Sequence, residues 1–192
     1  MSEPKDLVPL DVARPPDLYE RKYMAGEGVV LYRDKARAPW PWHAIFGASM
    51  AAVLGSAVAV GQAWTLALSL PVLATLWLFF AVLRVTVSER AVRVQYGLFG
   101  PRIPTAAIES ARATTYDWKE FGGWGIKRRR DGAWIYNLPG DGGHAVEVVW
   151  RDANGKRRVT FLGTRQAEAM AVQIDRARAL PAAPSGPALP PG

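Results

Sequence analysis

The chain has no cysteine, which excludes disulfides and thiolate metal ligands. It has two histidines, His43 and His144, far apart in sequence. Zinc and non-haem iron sites draw on His and Cys, so no such site, and no other cofactor, is expected. Acidic residues are outnumbered, with 17 Asp and Glu against 24 Lys and Arg and a net charge of +7. That balance favours acidic partners, either nucleic acid or anionic lipid. The most informative absence is local: from His43 to Leu83 there is no Asp, Glu, Lys or Arg.

One bilayer span needs ~20 apolar residues. The uncharged run is about twice that, so it predicts a transmembrane hairpin over residues 42–83. Its helices are expected at Trp42–Val60 and Trp64–Leu83, with the turn at Gly61-Gln62-Ala63-Trp64. The alternative is a soluble hairpin buried in a core. The run is too long, and too far along the chain, to read as a signal peptide. Arg33, Lys35 and Arg37 precede it, and Arg84, Arg90 and Arg93 follow it. The expectation is a multi-pass protein of the bacterial inner membrane with both termini cytoplasmic. Trp40, Trp42 and Trp64 suit the membrane interfaces.

Within the first helix, Gly47, Ala51, Gly55 and Ala59 recur every four residues. Small residues at this spacing let helices approach closely in lipid. The row serves either self-association or packing against the second helix. Pro71 inside the second helix predicts a kink. Residues 1–28, with four prolines, read as an irregular segment, and 29–41 as a juxtamembrane segment. Residues 179–192, rich in Pro, Ala and Gly, read as a disordered tail.

Between Arg84 and residue 178 the texture changes to period two. Val92, Val94 and Tyr96 alternate with polar residues. Ile103–Ala113, Gly123–Ile126, Ala133–Leu138, Ala145–Trp150 and Lys156–Leu162 read as further strands, with Asn154-Gly155 at a hairpin tip. Thr164 is the expected N-cap of a helix whose apolar face is Ala167, Met170, Ala171 and Ile174. The predicted fold class is α+β with a membrane hairpin. Two transmembrane helices are followed by a pleckstrin-homology-like antiparallel β-roll of about seven strands, capped by a C-terminal helix. A β-barrel lacking the closing helix is the nearest alternative.

Here the chain resembles bacterial membrane proteins that join a two-helix hairpin to a bacterial PH-like domain. The likeness rests on Val85–Gly97, Ile103–Ile108, Gly122–Lys127 and Val159–Ile174. The resemblance implies a non-catalytic membrane-anchored module that binds lipids, peptides or proteins. Lipid-binding members carry clustered basic residues between their first two strands. This chain has only Arg90 there, with Arg93 beyond.

No nucleophile-elbow motif with a Ser–His–Asp order appears. Glu109, Asp117, Glu120, Glu147 and Asp152 are scattered, and no enzyme activity is expected. Gly122-Gly-Trp-Gly125 lacks the Gly-Lys-Ser/Thr ending of a phosphate loop. It reads instead as a bend that needs positive φ, with Trp124 in the core. The cationic run Lys127, Arg128, Arg129 and Arg130, with Lys156, Arg157 and Arg158, is the candidate anionic contact. Near a membrane each such residue is worth ~1 kcal/mol; otherwise the run is a solvated hairpin. Nucleic acid is the weaker partner, since Trp134 and Tyr136 alternate like core residues. The expected function is a scaffold that presents its domain to protein partners or to itself. An anionic-lipid sensor using 127–130 is the alternative.

Overall fold

A computed structural model describes residues 26–180 apart from Gln62, Ala81 and Leu98. The expectations for 1–25 and 181–192, and Gln62 of the predicted turn, lie outside these residues. The first element is a strand, β1 (Val30–Arg37). Two helices follow, α1 (Trp40–Val60) and α2 (Ala63–Phe80), and then β2 (Val82–Ser88). β1 and β2 pair antiparallel, Arg37 opposite Val82 and Lys35 opposite Arg84. The helices are therefore an excursion between two neighbouring strands of one sheet, and not a hairpin that precedes a separate domain. β3 (Ala91–Tyr96) and β4 (Arg102–Pro104) complete a four-stranded sheet in the order β1-β2-β3-β4.

A one-turn 3₁₀ helix, Thr105–Ala107, leads to β5 (Ile108–Thr115). β6 (Gly125–Arg128), β7 (Trp134–Asn137), β8 (His144–Arg151) and β9 (Arg157–Gly163) follow. These form a second sheet of five strands, ordered β5-β8-β9-β7-β6, with β7 and β9 parallel. Helix α3 (Ala167–Ala179) closes the fold.

The expected seven-strand roll is thus corrected to two sheets of four and five strands, with three α-helices among the described residues. Two physical reasons account for the difference. Ile103–Ala113 was expected as one strand, but Pro104 has no N–H to extend the ladder and the chain turns through Thr105–Ala107. Gly28–Arg33 reads locally as a short strand, but β1 runs on to Arg37 and finds its partner only across the helices, so nothing local shows that it belongs to this sheet.

The multi-pass expectation is also corrected. Among the described residues only Trp40–Val60 is long and apolar enough to cross a membrane. Its 21 residues reach about 31 Å at ~1.5 Å each, which matches a ~30 Å hydrocarbon core. α2 has 18 residues with Pro71 inside it, and reaches only about 27 Å. An inner-membrane topology with two spans and both termini on one side is not supported.

The main core lies between the sheets and under α3. Leu83, Val85 and Val87 of β2 and Val92, Val94 and Tyr96 of β3 meet Val146, Val148 and Leu162 of the second sheet. Met170 and Ile174 of α3 are fully buried against them. Period two in the second sheet feeds a second, smaller core on its other face. Tyr136 and its partner Leu162 face the main core, while Ile135 and its partner Phe161 face Phe121, Ala133 and Ala145.

Polar contacts fix the periphery. The Thr164 hydroxyl accepts the Gln166 N–H (3.1 Å) and donates to Asp34 of β1, where burial pushes the carboxyl pKa up. Thr164 thus ties β1 to the start of α3 through a side-chain turn, and the N-cap position itself falls to Gln166. Glu27 is buried and meets Arg102 through two bonds (2.7 and 2.9 Å) and Arg93 through a third (3.1 Å). Burial alone would raise the Glu27 pKa; the two guanidiniums win, and it lies below the ordinary carboxylate value. A depressed carboxylate contributes stability above its unfolded pKa, and loses it as pH falls through the folded value. Glu27→Gln is expected to cost about 2 kcal/mol at neutral pH, since bonds to charged groups carry 1.5–3 kcal/mol. The deficit should begin to shrink near pH 4, where an unfolded glutamate takes up its proton, and close only once pH has fallen through the lower folded value. Denaturant midpoints of the two proteins at several pH values test this; a pH-independent deficit would remove the ion pairs as its cause.

Candidate binding surfaces

The residues that join the helices to the sheets form one end of the molecule. Gly140, at φ 93°, lies so close to Pro39 that an added Cβ would sit 2.6 Å from its Cγ. Trp42, in the first turn of α1, meets Trp124 edge-on at 5.1 Å. Trp124 in turn stacks on Trp118, with centroids 4.3 Å apart and planes 20° from parallel. Gly122, Gly123 and Gly125 hold φ of 75°, 118° and 110°, which lets the loop fold back on itself. Trp124 is therefore a member of a half-exposed stack and not a core residue. Phe121 fills the core position instead, against Phe161 at 5.4 Å.

Behind this loop is a buried polar pin. Asn137 is fully buried; its Oδ1 accepts the Gly125 N–H (2.8 Å) and its Nδ2 donates to the Tyr116 hydroxyl (2.9 Å). Tyr116 donates to Asp141, whose other oxygen accepts the Gly143 N–H (2.9 Å). Burial raises the pKa of both Tyr116 and Asp141, so at neutral pH the tyrosine keeps its proton. All four groups end up paired, and their role here is to hold the loops.

His43 bridges the two helices. The Trp77 indole N–H donates to His43 Nδ1 (3.0 Å), which leaves Nε2 to donate to Ala38 O (3.1 Å). Phe46 also meets Trp77, and Ala57 is buried, so the less exposed stripe of α1 is His43, Phe46, Met50, Val53 and Ala57. Gly47, Ala51, Gly55 and Ala59 lie outside that stripe and are all exposed. No atom lies within 4 Å of a Cβ built on Gly47 or Gly55. His144 is exposed at the start of β8.

The basic residues divide. Arg129 lies over the rings of Phe121 and Phe161, at 5.3 and 5.7 Å, and pairs with Asp131 at 2.5 Å. That pair holds the Asp131 pKa down at about 2. Arg157 reaches Glu109 (3.5 Å), and Arg158 pairs with Asp152 (2.8 Å). Lys127, Arg128, Arg130 and Lys156 make no ion pair among the described residues; Arg128 lies over Trp134 at 5.8 Å.

Register places these groups relative to the helices. Gly125 pairs with Asn137, Thr115 with His144 and Ala145 with Gly163, all at the end beside the tryptophan stack. Arg151 pairs with Arg157 at the other end. Six residues of β8 separate Ala145 from Arg151, about 20 Å at ~3.4 Å per residue. The 127–130 segment leaves Gly125 in that same direction: Lys127 and Arg128 lie level with Phe161 and Thr160, two and three residues short of Gly163 and so in mid-sheet, while Arg130 lies further on and Lys156 lies beyond Arg157 at the far end.

Among the described residues no group of three or more His, Cys, Asp or Glu is placed to hold a metal ion. Sequence reasoning missed Trp118 and Glu27. Aromatics either side of a glycine run were the only signal for the first; the second sat in a stretch read as irregular. The chain matches no family model, no curated protein and no solved structure.

Proposed function

We propose that this chain is a membrane-attached, non-catalytic binding module that presents the helix-distal end of its two-sheet domain to an acidic protein partner. One observation carries the reading: Lys127, Arg128, Arg130 and Lys156 lack ion-pair partners among the described residues, and the row they form runs from mid-sheet, at Lys127 and Arg128, to the end of the second sheet away from α1, at Arg130 and Lys156. If α1 attaches the chain to a membrane, Arg130 and Lys156 lie beyond the ~8 Å screening length at physiological salt. The same placement weighs against headgroup binding by Arg130 and Lys156. The exposed row Gly47, Ala51, Gly55 and Ala59 supports a second partner, another copy packing helix to helix.

A photo-cross-linking residue at Arg130, irradiated in native membranes, tests the proposal. The expected product is a discrete adduct with an acidic protein, formed by a chain that stays membrane-bound through an alkaline wash. Release by that wash would sink the membrane reading. Adducts with lipid alone, or none, would sink the partner reading. An adduct of twice the chain mass would assign that surface to a second copy.

A further inference from the structure

We propose that the loop Asp117–Trp124 rests in the bilayer interface beside α1, so that the cluster of Trp42, Trp118 and Trp124 fixes the tilt of the domain against the membrane. The inference builds on membrane attachment through α1 and adds a second lipid contact, distant in sequence. The partner it fits is the boundary between headgroups and acyl chains, where indoles settle because one edge is polar and the rest apolar.

The geometry supports a lipid-facing role in three ways. First, the stack is continuous with α1: Trp42 is in the helix's first turn and touches Trp124. Whatever depth the start of α1 occupies, the loop shares it. Second, the rings are only partly covered. Trp118 and Trp42 remain 37% and 39% exposed, and Trp40 beside them 77%. A stack serving only to stiffen the joint would bury its outer ring. Third, the loop is held from behind and is free in front. Phe121 is buried in the second core, and Gly123 N–H is bonded to Trp118 O at 3.0 Å.

The charges facing the loop do not form a cationic patch. Lys119 lies over the Trp118 ring at 5.7 Å, while Asp117 accepts the Lys119 backbone N–H and Glu120 faces Arg129 at 3.9 Å. Ring insertion and not charge attraction is therefore the contact, and it should be similar on neutral and anionic lipid.

The absence of cysteine makes the test direct, because single labels can be placed in the full chain. Lys119→Cys, Ala52→Cys in α1 and Asn154→Cys at the far hairpin each receive an environment-sensitive fluorophore. The chains are reconstituted in lipid nanodiscs containing lipids that carry a doxyl quencher near the headgroup or near the chain end. The expected result is quenching at position 119 by the shallow quencher, at 52 by the deep one, and none at 154. Trp118→Ser should abolish quenching at 119 while leaving 52 unchanged, and Trp118→Phe should retain it. Quenching at 52 without quenching at 119 overturns the loop contact and leaves attachment standing, as would a protein seated on the stack. Full quenching at 119 in Trp118→Ser overturns the part assigned to the rings. No quenching at 52 overturns attachment itself.

Discussion

Replacing Gly163 with alanine is expected to loosen the whole helix-proximal end of the domain. Gly163 does not need glycine for its backbone angles; it needs the space. A Cβ there would lie 2.6 Å from Asp141 Oδ2, 2.9 Å from Asn137 Cβ and 3.0 Å from Asn137 Cα. The last is backbone in a paired strand and cannot swing aside. Asn137 must shift, and with it the bonds to Gly125 and Tyr116 that organise the tryptophan loop. Overpacking costs ~1–3 kcal/mol, and a lost buried hydrogen bond adds about 1 kcal/mol. For a domain near 100 residues each kcal/mol moves the midpoint by ~4–8 °C, so a drop of about 10 °C or more is expected. Near-UV circular dichroism in mild detergent reports it. Gly155→Ala is the comparison: its φ is 74° but no atom lies within 4 Å of the added Cβ. It should cost about 1–2 kcal/mol, from the left-handed backbone alone. Equal midpoints for the two variants would show that the pin is not holding this end.

What was legible from the residues follows how local each signal is. Val92–Tyr96 alternates cleanly and forms β3; Asn154-Gly155 marks a hairpin tip and makes one. The apolar face of α3 is buried as its spacing predicts. The uncharged run showed that helices would form, but not their limits. Pro41 is tolerated in a first helical turn, so α1 starts at Trp40. β1 was illegible as part of the sheet, because its partner lies beyond 44 residues of intervening helix and turn. The candidate surfaces were harder still. Four consecutive cations look alike as letters. Only the fold shows that Arg129 turns onto Phe121 and Phe161 while its neighbours do not. Trp124 was assigned to the core because a tryptophan beside glycines has no sequence mark of exposure; Phe121 was nearer the core by three residues.

That division of the basic run leads to the prediction with the largest functional effect. Reversing Lys127, Arg128, Arg130 and Lys156 to Glu is expected to abolish capture of the proposed acidic partner while leaving the fold intact. Surface substitutions away from special features stay within about 0.5 kcal/mol each; these four side chains hold no ion pair to break among the described residues, and Arg128 gives up only its contact with the Trp134 ring, worth ~0.5–1 kcal/mol. Arg129→Ser should do the reverse. It removes the guanidinium from two aromatic rings and from Asp131, and each ring contact is worth ~0.5–1 kcal/mol at a partly exposed site. The Asp131 carboxylate, held at about 2, keeps that pair intact until pH falls well below 4. Acid down to pH 4 should therefore not mimic the Arg129 variant. The two sets of variants separate a binding surface from a structural staple. Capture measured by cross-linking yield should fall with rising salt for the native chain, because exposed charges are screened. It should be absent at every salt concentration in the four-site variant. Undiminished capture by that variant would remove the helix-distal cations from the interface and leave the exposed helix row as the surface to pursue.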